Sequence, residues 1–324
     1  MLMVSKAYQL STSILGVFVC EVLLTSWKYI QLRTHTLTTP YLTGDLQSRW
    51  FDFGGDTIIR ADKYVRLTSD RPSQQGWLFS RVPLTATNWE IEVEFKIDGN
   101  GNLHGDGMAL WVTKQRATQG PVFGSTDQFE GLGIFFDTYK NNRPGVTFPY
   151  VMAMLGDGKT KYDHGNDGKA NELAGCSARI RKADVPTKAR LTYFQDSYLK
   201  LDLQYRREDE WTECFTASDV RLPSVAYLGF SAETGELSDE HDIISVSTKS
   251  LYEHNTASGS GGRPGHASDS TSWGGKKGKG YDPNRGKSRG WGWVFIKLVL
   301  VVVGCIGAYV GYTAWRTQQR RSRF

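Results

Sequence analysis

The chain has only four cysteines, no Asn-x-Ser/Thr sequon, no tandem repeat, and no stretch with a sustained 3.6-residue apolar period. The missing helical period argues against helix bundles and α/β layers, and the missing repeat against solenoids. Cys20 and Cys305 sit in apolar stretches at the two ends, which leaves Cys176 and Cys214 for the body of the chain. Neither has a Cys-x-x-Cys partner, which speaks against structural zinc. They can pair once, and a disulfide suits them if the domain faces an oxidising lumen. A basic folded surface is missing too. The formal charge of +5 divides into 24 Lys+Arg against 30 Asp+Glu over residues 35–252, a net of −6, and 12 against 3 over residues 253–324, a net of +9. An acidic body with a basic tail is not the pattern of a nucleic-acid-binding domain, and nucleic acid is set aside as a partner.

Long apolar runs occur only near the ends. Lys6 precedes Ser13-Ile-Leu-Gly-Val-Phe-Val-Cys, which continues past Glu21 to Leu24. That length predicts a signal peptide over approximately residues 1–30, with an uncleaved anchor as the alternative. Residues 291–315 predict one transmembrane helix, with Trp291, Trp293 and Trp315 at interfacial positions and Lys297 able to snorkel. Charge alone conflicts on orientation: six basic residues from Lys276 to Arg289 precede the span, and Arg316, Arg320, Arg321 and Arg323 follow it. A signal peptide commits the preceding domain to translocation. The expectation is therefore a single-pass type I membrane protein with a lumenal body and a cytosolic tail at residues 316–324. Residues 253–290, rich in Gly, Ser and Lys, read as a flexible lumenal stalk.

Between these ends the pattern is that of strands. In Trp89-Glu-Ile-Glu-Val-Glu-Phe-Lys-Ile-Asp every second residue is apolar, which predicts a strand with one wet face. Leu191 to Phe194 and Tyr198 to Leu203 flank Gln195-Asp196, a hairpin pattern. Gly131 to Asp137 and Tyr227 to Ser231 are apolar runs that fit strands covered on both faces. Many short strands predict an all-β fold of two packed antiparallel sheets. Polar residues gather in the loops beside these strands: Gly105-Asp106-Gly107, Asp137-Thr-Tyr-Lys-Asn141, Tyr162-Asp-His164-Gly-Asn-Asp167-Gly, and Gly235-Glu-Leu-Ser-Asp-Glu-His. Calcium takes carboxylate, amide and carbonyl oxygens, and Asp137, Asn141, Asp167 and the carbonyl of Tyr139 form such a set. Ordinary turn chemistry uses the same residue types, and the spacing is not that of an EF-hand loop.

Several stretches decide between these readings: Trp50-Phe-Asp-Phe-Gly-Gly-Asp-Thr, Leu103-His-Gly-Asp-Gly, Gly120-Pro-Val-Phe-Gly-Ser, Phe136-Asp-Thr-Tyr, Tyr162-Asp-His, Glu172-Leu-Ala-Gly-Cys and Leu237-Ser-Asp-Glu-His-Asp-Ile-Ile-Ser. Through them, residues 35–252 resemble the leguminous-type (L-type) lectins of the early secretory pathway, and within these the vesicular integral-membrane mannose-binding lectins. The resemblance implies a concanavalin-like antiparallel sandwich of the jelly-roll kind, with calcium as cofactor and no enzymatic activity. It places calcium ligands on Asp137, the Tyr139 carbonyl, Asn141 and Asp167. Sugar contacts fall on Asp106, Asn141, His164 and the backbone of Gly235, Glu236 and Leu237. It also implies a Cys176–Cys214 bridge and a cis Gly105–Asp106 peptide. The implied partners are high-mannose N-glycans on secretory glycoproteins, with vesicle coat components at a tail ending in Phe324. The implied function is a cargo receptor in the membrane of the endoplasmic reticulum, the intermediate compartment or the Golgi. Asp106 can accept two sugar hydroxyls, while Asn141 can give its amide hydrogens to the sugar and its carbonyl to calcium.

Two departures from the family pattern stand out. Glu236 occupies a position where relatives carry Asp, and Trp77 one where they carry a small residue, so Trp77 either stacks on a pyranose face or blocks part of the groove. These keep open a trafficking adaptor whose lectin site has decayed. A third reading is a glycoside hydrolase, because Glu90, Glu92 and Glu94 share one strand face about 7 Å apart, and paired carboxylates are what glycoside hydrolysis requires.

Overall fold

The alternation at Trp89–Asp98 forms a ten-residue strand that buries Trp89, Ile91, Val93, Phe95 and Ile97 and leaves the residues between them partly wet. The structure, a computed structural model, describes residues 27–253. The predicted stalk, span and tail and most of the predicted signal peptide lie outside those residues. Within them no helix is long and apolar enough to cross a membrane.

In chain order the strands are β1 (Trp27–Gln31), β2 (Phe51–Gly55), β3 (Ile58–Arg60), β4 (Tyr64–Thr68), β5 (Gln75–Ser80), β6 (Trp89–Asp98), β7 (Gly107–Thr113), β8 (Glu130–Asp137), β9 (Tyr150–Asp157), β10 (Ala174–Ser177), β11 (Thr187–Phe194), β12 (Tyr198–Gln204), β13 (Thr212–Ser218), β14 (Tyr227–Glu233) and β15 (Glu240–Glu253). One sheet runs β13-β12-β11-β6-β15-β4-β3, with β1 also on β15, and the other runs β10-β9-β8-β7-β14-β5-β2. Every strand pairing is antiparallel. The hairpin forms as expected, β11 pairing with β12 across Gln195-Asp196. The pairing of β1 with the end of β15 starts the sandwich at Trp27, ahead of His35 and within the approximate limits of the expected signal peptide.

The apolar runs of β7 and β8 are buried along nearly their whole length because both their faces are covered. Their inward residues, among them Met108, Leu110, Ile134 and Phe136, join the core between the sheets. Ala109, Trp111 and Phe135 point to the opposite face, where Phe123, Phe129 and Tyr162 from long loops cover them. Trp111 donates from Nε1 to Ser231 Oγ at 2.7 Å, and Ser231 donates on to the Phe123 carbonyl at 2.6 Å, which pins one of these loops to the sheet. Phe123 stacks on Phe135 at 5.1 Å, and Tyr162 meets Phe135 edge-on at the same distance. This second apolar layer carries the functional loops.

On the other sheet, Glu90 pairs with Lys249 at 2.8 Å, Glu92 with Arg190 at 2.9 Å and Glu94 with Lys188 at 3.8 Å. Each carboxylate of the suspected hydrolase strand thus has a cation beside it from a neighbouring strand, and none lines the cavity described below. The strand is a charged outer face, not a catalytic pair.

His241, on β15, is fully buried, with Nδ1 2.7 Å from Thr68 Oγ1 and no partner for Nε2 among the described residues. Burial, and secondarily the Arg181 guanidinium, push its pKa down to about 3. The unfolded chain binds this proton near pH 6.5, so stability is lost as pH falls below that value, by about 1.4 kcal/mol per unit until the folded pKa is reached. Between pH 7 and pH 5 the wild-type protein should lose about 2 kcal/mol more than His241→Gln in urea unfolding. Equal losses would show that His241 is not the source.

Candidate functional site

Strand register brings the polar loops together. Glu233 pairs with Gly107, Gly107 with Asp137, and Asp137 with Tyr150, so the ends of β14, β7, β8 and β9 form one row. Asp137 follows Phe135 by two residues and therefore shares the face of the aromatic layer. A cavity of about 200 Å³ opens there, lined by Asp106, Asp137, Tyr139, Asn141, His164 and Glu233, with Phe123, Pro121 and Tyr162 as its apolar part. That is below the roughly 300–1,000 Å³ of a site for a drug-sized ligand and suits one sugar ring.

Asp137 and Asp167 are both buried, at 5% and 2% exposure. Burial, then the charge of Asp167, hold the Asp137 carboxyl well above the usual carboxylate range. Its Oδ1 accepts from the Tyr139 backbone N–H at 3.0 Å. Asp167 takes a left-handed φ of 51° and accepts from the backbone N–H of Asn141 at 3.1 Å and of Arg143 at 3.2 Å. Gly168 follows at φ 67°, where a Cβ would lie 2.5 Å from the Tyr162 ring, so the turn that aims Asp167 requires glycine. Arg143 is buried, donates to the Asp167 carbonyl at 3.1 Å, contacts Glu172, and lies 4.3 Å from the centre of the Tyr150 ring. His164 stands edge-on to Tyr162 at 4.9 Å.

Asp106 follows a cis peptide to Gly105. Its backbone carbonyl accepts from the Thr138 N–H at 3.0 Å, while no donor among the described residues reaches its carboxylate. Burial raises its pKa. Gly235 lies against it, since a Cβ there would be 3.0 Å from Asp106 Oδ2. The result is an open pair of acceptor oxygens at the cavity wall.

Most of the residues singled out from sequence meet here: Asp106, Asp137, Tyr139, Asn141 and His164 line the cavity, Asp167 bonds to Asn141, and Gly235 backs Asp106. Glu236 is exposed, and neither it nor Leu237 lines the cavity. Asn141 donates from Nδ2 to Asp167 at 2.6 Å, so its amide nitrogen faces the carboxylate where the resemblance led us to expect its carbonyl on a cation. A carboxylate only accepts and draws the NH₂ end toward itself. Trp77 corrects the sequence reading. It does not line the cavity, because the pairing Trp77↔Ser231 sets it mid-strand while Gln75↔Glu233 occupies the site end. Its ring covers Gly54, where a Cβ would lie 2.3 Å away.

Sequence reasoning missed Glu233 and Arg143. Glu233 accepts from Gln75 Nε2 at 2.8 Å and from the Gly124 N–H at 3.2 Å, and burial raises its pKa. The only trace was its place at the end of an apolar run. Arg143 left no signal, since an arginine in a polar loop reads as solvated.

Two buried carboxylates, an amide and a backbone carbonyl can hold a hard cation, and the repulsion between Asp137 and Asp167 is what a dication would relieve. No cluster of three His, Cys, Asp or Glu side chains forms among the described residues, so such a site depends on neutral oxygens as well. A two-sheet antiparallel sandwich with a small, loop-built, carboxylate-lined cavity at one sheet end has the architecture of a sugar-binding lectin domain.

Comparison with known proteins narrows this class. The legume-like lectin family pattern matches residues 28–258. An L-type lectin-like domain-containing protein of Schizosaccharomyces pombe is 36% identical over 289 residues, 89% of either chain. The vesicular integral-membrane protein VIP36 of Canis lupus familiaris is 43% identical over 228 residues, 69% of this chain and 64% of that one, so less than two thirds of VIP36 is matched. The crystal structure of the VIP36 exoplasmic/lumenal domain with Ca²⁺ and mannose superposes with a TM-score of 0.67 at 42% identity, over 70% of this chain and 94% of that chain. The form bound to Ca²⁺ and Man3GlcNAc gives a TM-score of 0.65. The chain belongs to the legume-like (L-type) lectin family and is similar to VIP36. That family consists of lectins, not enzymes.

Proposed function

We propose that this protein is a calcium-dependent, mannose-binding transmembrane lectin that serves as a cargo receptor for high-mannose glycoproteins in the early secretory pathway. One observation carries the reading: Asp106, Asp137, Asn141 and His164 line one ring-sized cavity, with the buried Asp167 bonded to Asn141. Asp137, Asp167, Asn141 and the Tyr139 carbonyl would hold calcium. Bound there, the ion would fix the loop that carries Asn141, and the protein's own groups would do the recognition. The Asp106 carboxylate accepts from vicinal mannose hydroxyls, Asn141 contributes amide hydrogens once its NH₂ end turns from Asp167 to the sugar, His164 closes one side, and Gly235 keeps the wall beside Asp106 clear. Relatives crystallised with Ca²⁺ and mannosides support the ligand class.

A glycan array probed with the full chain, with and without chelator, tests the reading. Binding should be confined to high-mannose structures and vanish in chelator. No glycan bound under either condition would leave the chain a trafficking adaptor with a decayed site.

A signal peptide, the stalk at residues 253–290, the span at 291–315 and the tail at 316–324 would put the lectin in the lumen of the endoplasmic reticulum, intermediate compartment or Golgi. The basic segment after the span would meet coat components. In sealed microsomes the lectin domain should resist protease until detergent is added. Its digestion without detergent would overturn this topology.

A further inference from the structure

The loop between β8 and β9 serves two cavities. Its first residues, Tyr139 and Asn141, line the cavity above, and its last, Thr147 to Pro149, line a second one of about 690 Å³. Asp137 pairs with Tyr150 and Tyr150 with Ser177, and Ser177 also lines the second cavity. At about 4.8 Å per strand, Asp137 and Ser177 lie roughly 10 Å apart on one end of the sheet.

The second cavity reverses the charge of the domain around it. Arg179, Lys182 and Arg206 line it, all exposed, with Asp184 as its one carboxylate. Over residues 35–252 the domain carries 24 basic and 30 acidic residues. Among the described residues, Arg179 and Lys182 have no ion-pair partner, and Arg206 only lies over the Tyr205 ring at 5.3 Å. Arg181, also in the lining, is occupied by Asp239 at 2.8 Å. The segment bearing these cations is held in place: the Lys182 N–H donates to the Ile97 carbonyl at 3.0 Å, and Ile97 bridges to Arg181. Phe148, Pro149 and Tyr205 give the cavity an apolar floor.

We infer that this cleft docks an acidic segment of polypeptide beside the sugar cavity, with carboxylates on Arg179, Lys182 and Arg206 and an apolar side chain on the floor. The cleft is more than three times the volume of the sugar cavity, and its cations are exposed around it. A phosphate site would need buried donors converging on one point, whereas this geometry suits several side chains in a row. The chain's own stalk is no candidate: residues 253–290 carry seven basic and three acidic residues, and like charges would repel it.

The test uses the full chain in detergent and three fluorescent probes. These are a peptide of alternating Asp/Glu with interspersed Leu, its Asn/Gln counterpart, and a phosphorylated high-mannose oligosaccharide. The acidic peptide should bind about tenfold more tightly than its amide counterpart at low salt, the sum of three exposed ion pairs, and lose that advantage at high salt. Arg179→Glu combined with Lys182→Glu should abolish the preference, with thermal melting unchanged as the check on folding. Excess mannobiose should not displace the peptide, so the outcome is independent of whether the first cavity binds sugar. Equal binding of the two peptides, a preference that survives the double substitution, or selective binding of the phosphorylated glycan alone would overturn the inference.

Discussion

Asp137→Asn is expected to abolish calcium-dependent mannose binding. Changing a residue that only orients a metal ligand costs about 10–100-fold, so changing a ligand should cost roughly 100-fold or more. Asp137 lies under the cavity with Asp167 as its nearest negative neighbour, and Asn141 connects Asp167 to the proposed sugar contacts. The substitution keeps the shape and the oxygen that accepts from the Tyr139 N–H, so the fold should survive. Two melting curves separate binding from stability. In calcium at about 100 times its dissociation constant, wild type should gain about 2.7 kcal/mol and the variant nothing. In chelator the variant should melt no lower than wild type, because it removes one of two buried like charges. Mannose binding retained by Asp137→Asn, or by wild type in chelator, would refute the coupling of metal to sugar.

The second large effect is expected at the disulfide. Cys176 and Cys214 are bonded, with Cα atoms 5.3 Å apart and a sequence separation of 38. Cys176 lies on β10, an edge strand of one sheet, and Cys214 on β13, an edge strand of the other. The bond therefore staples the two sheets where no ladder hydrogen bonds join them. Cys176→Ser with Cys214→Ser should lower stability by about 4 kcal/mol, from the entropy a loop of this length regains on unfolding. Guanidinium unfolding of the double variant beside wild type measures it. Matching midpoints, or alkylatable thiols at both positions in mature protein, would contradict the assignment.

The three strands most legible in the sequence, β6 and the β11–β12 hairpin, declare themselves by local periodicity and turn residues. The loops rich in Asp, Asn and Gly were equally visible, and five of the residues chosen from them meet in one cavity. Local patterning settles such elements because side-chain alternation and turn chemistry act within a few residues.

Other features depended on which strands became neighbours. The resemblance set Trp77 beside the groove, and its pairing with Ser231 places its ring over Gly54, outside the cavity's lining. Glu90, Glu92 and Glu94 had the spacing of a catalytic strand until Lys249, Arg190 and Lys188 arrived from β15 and β11. Glu233 and Arg143 gained their roles through contacts more than twenty residues away in sequence. The sequence alone determined that the chain is built of packed antiparallel sheets, because strand alternation is a local property, and its ordered motifs carried the resemblance to the L-type lectins. Only the tertiary structure decided which carboxylates are neutralised, which are buried together and which remain open to a ligand, because charge and burial depend on neighbours brought in by strand pairing.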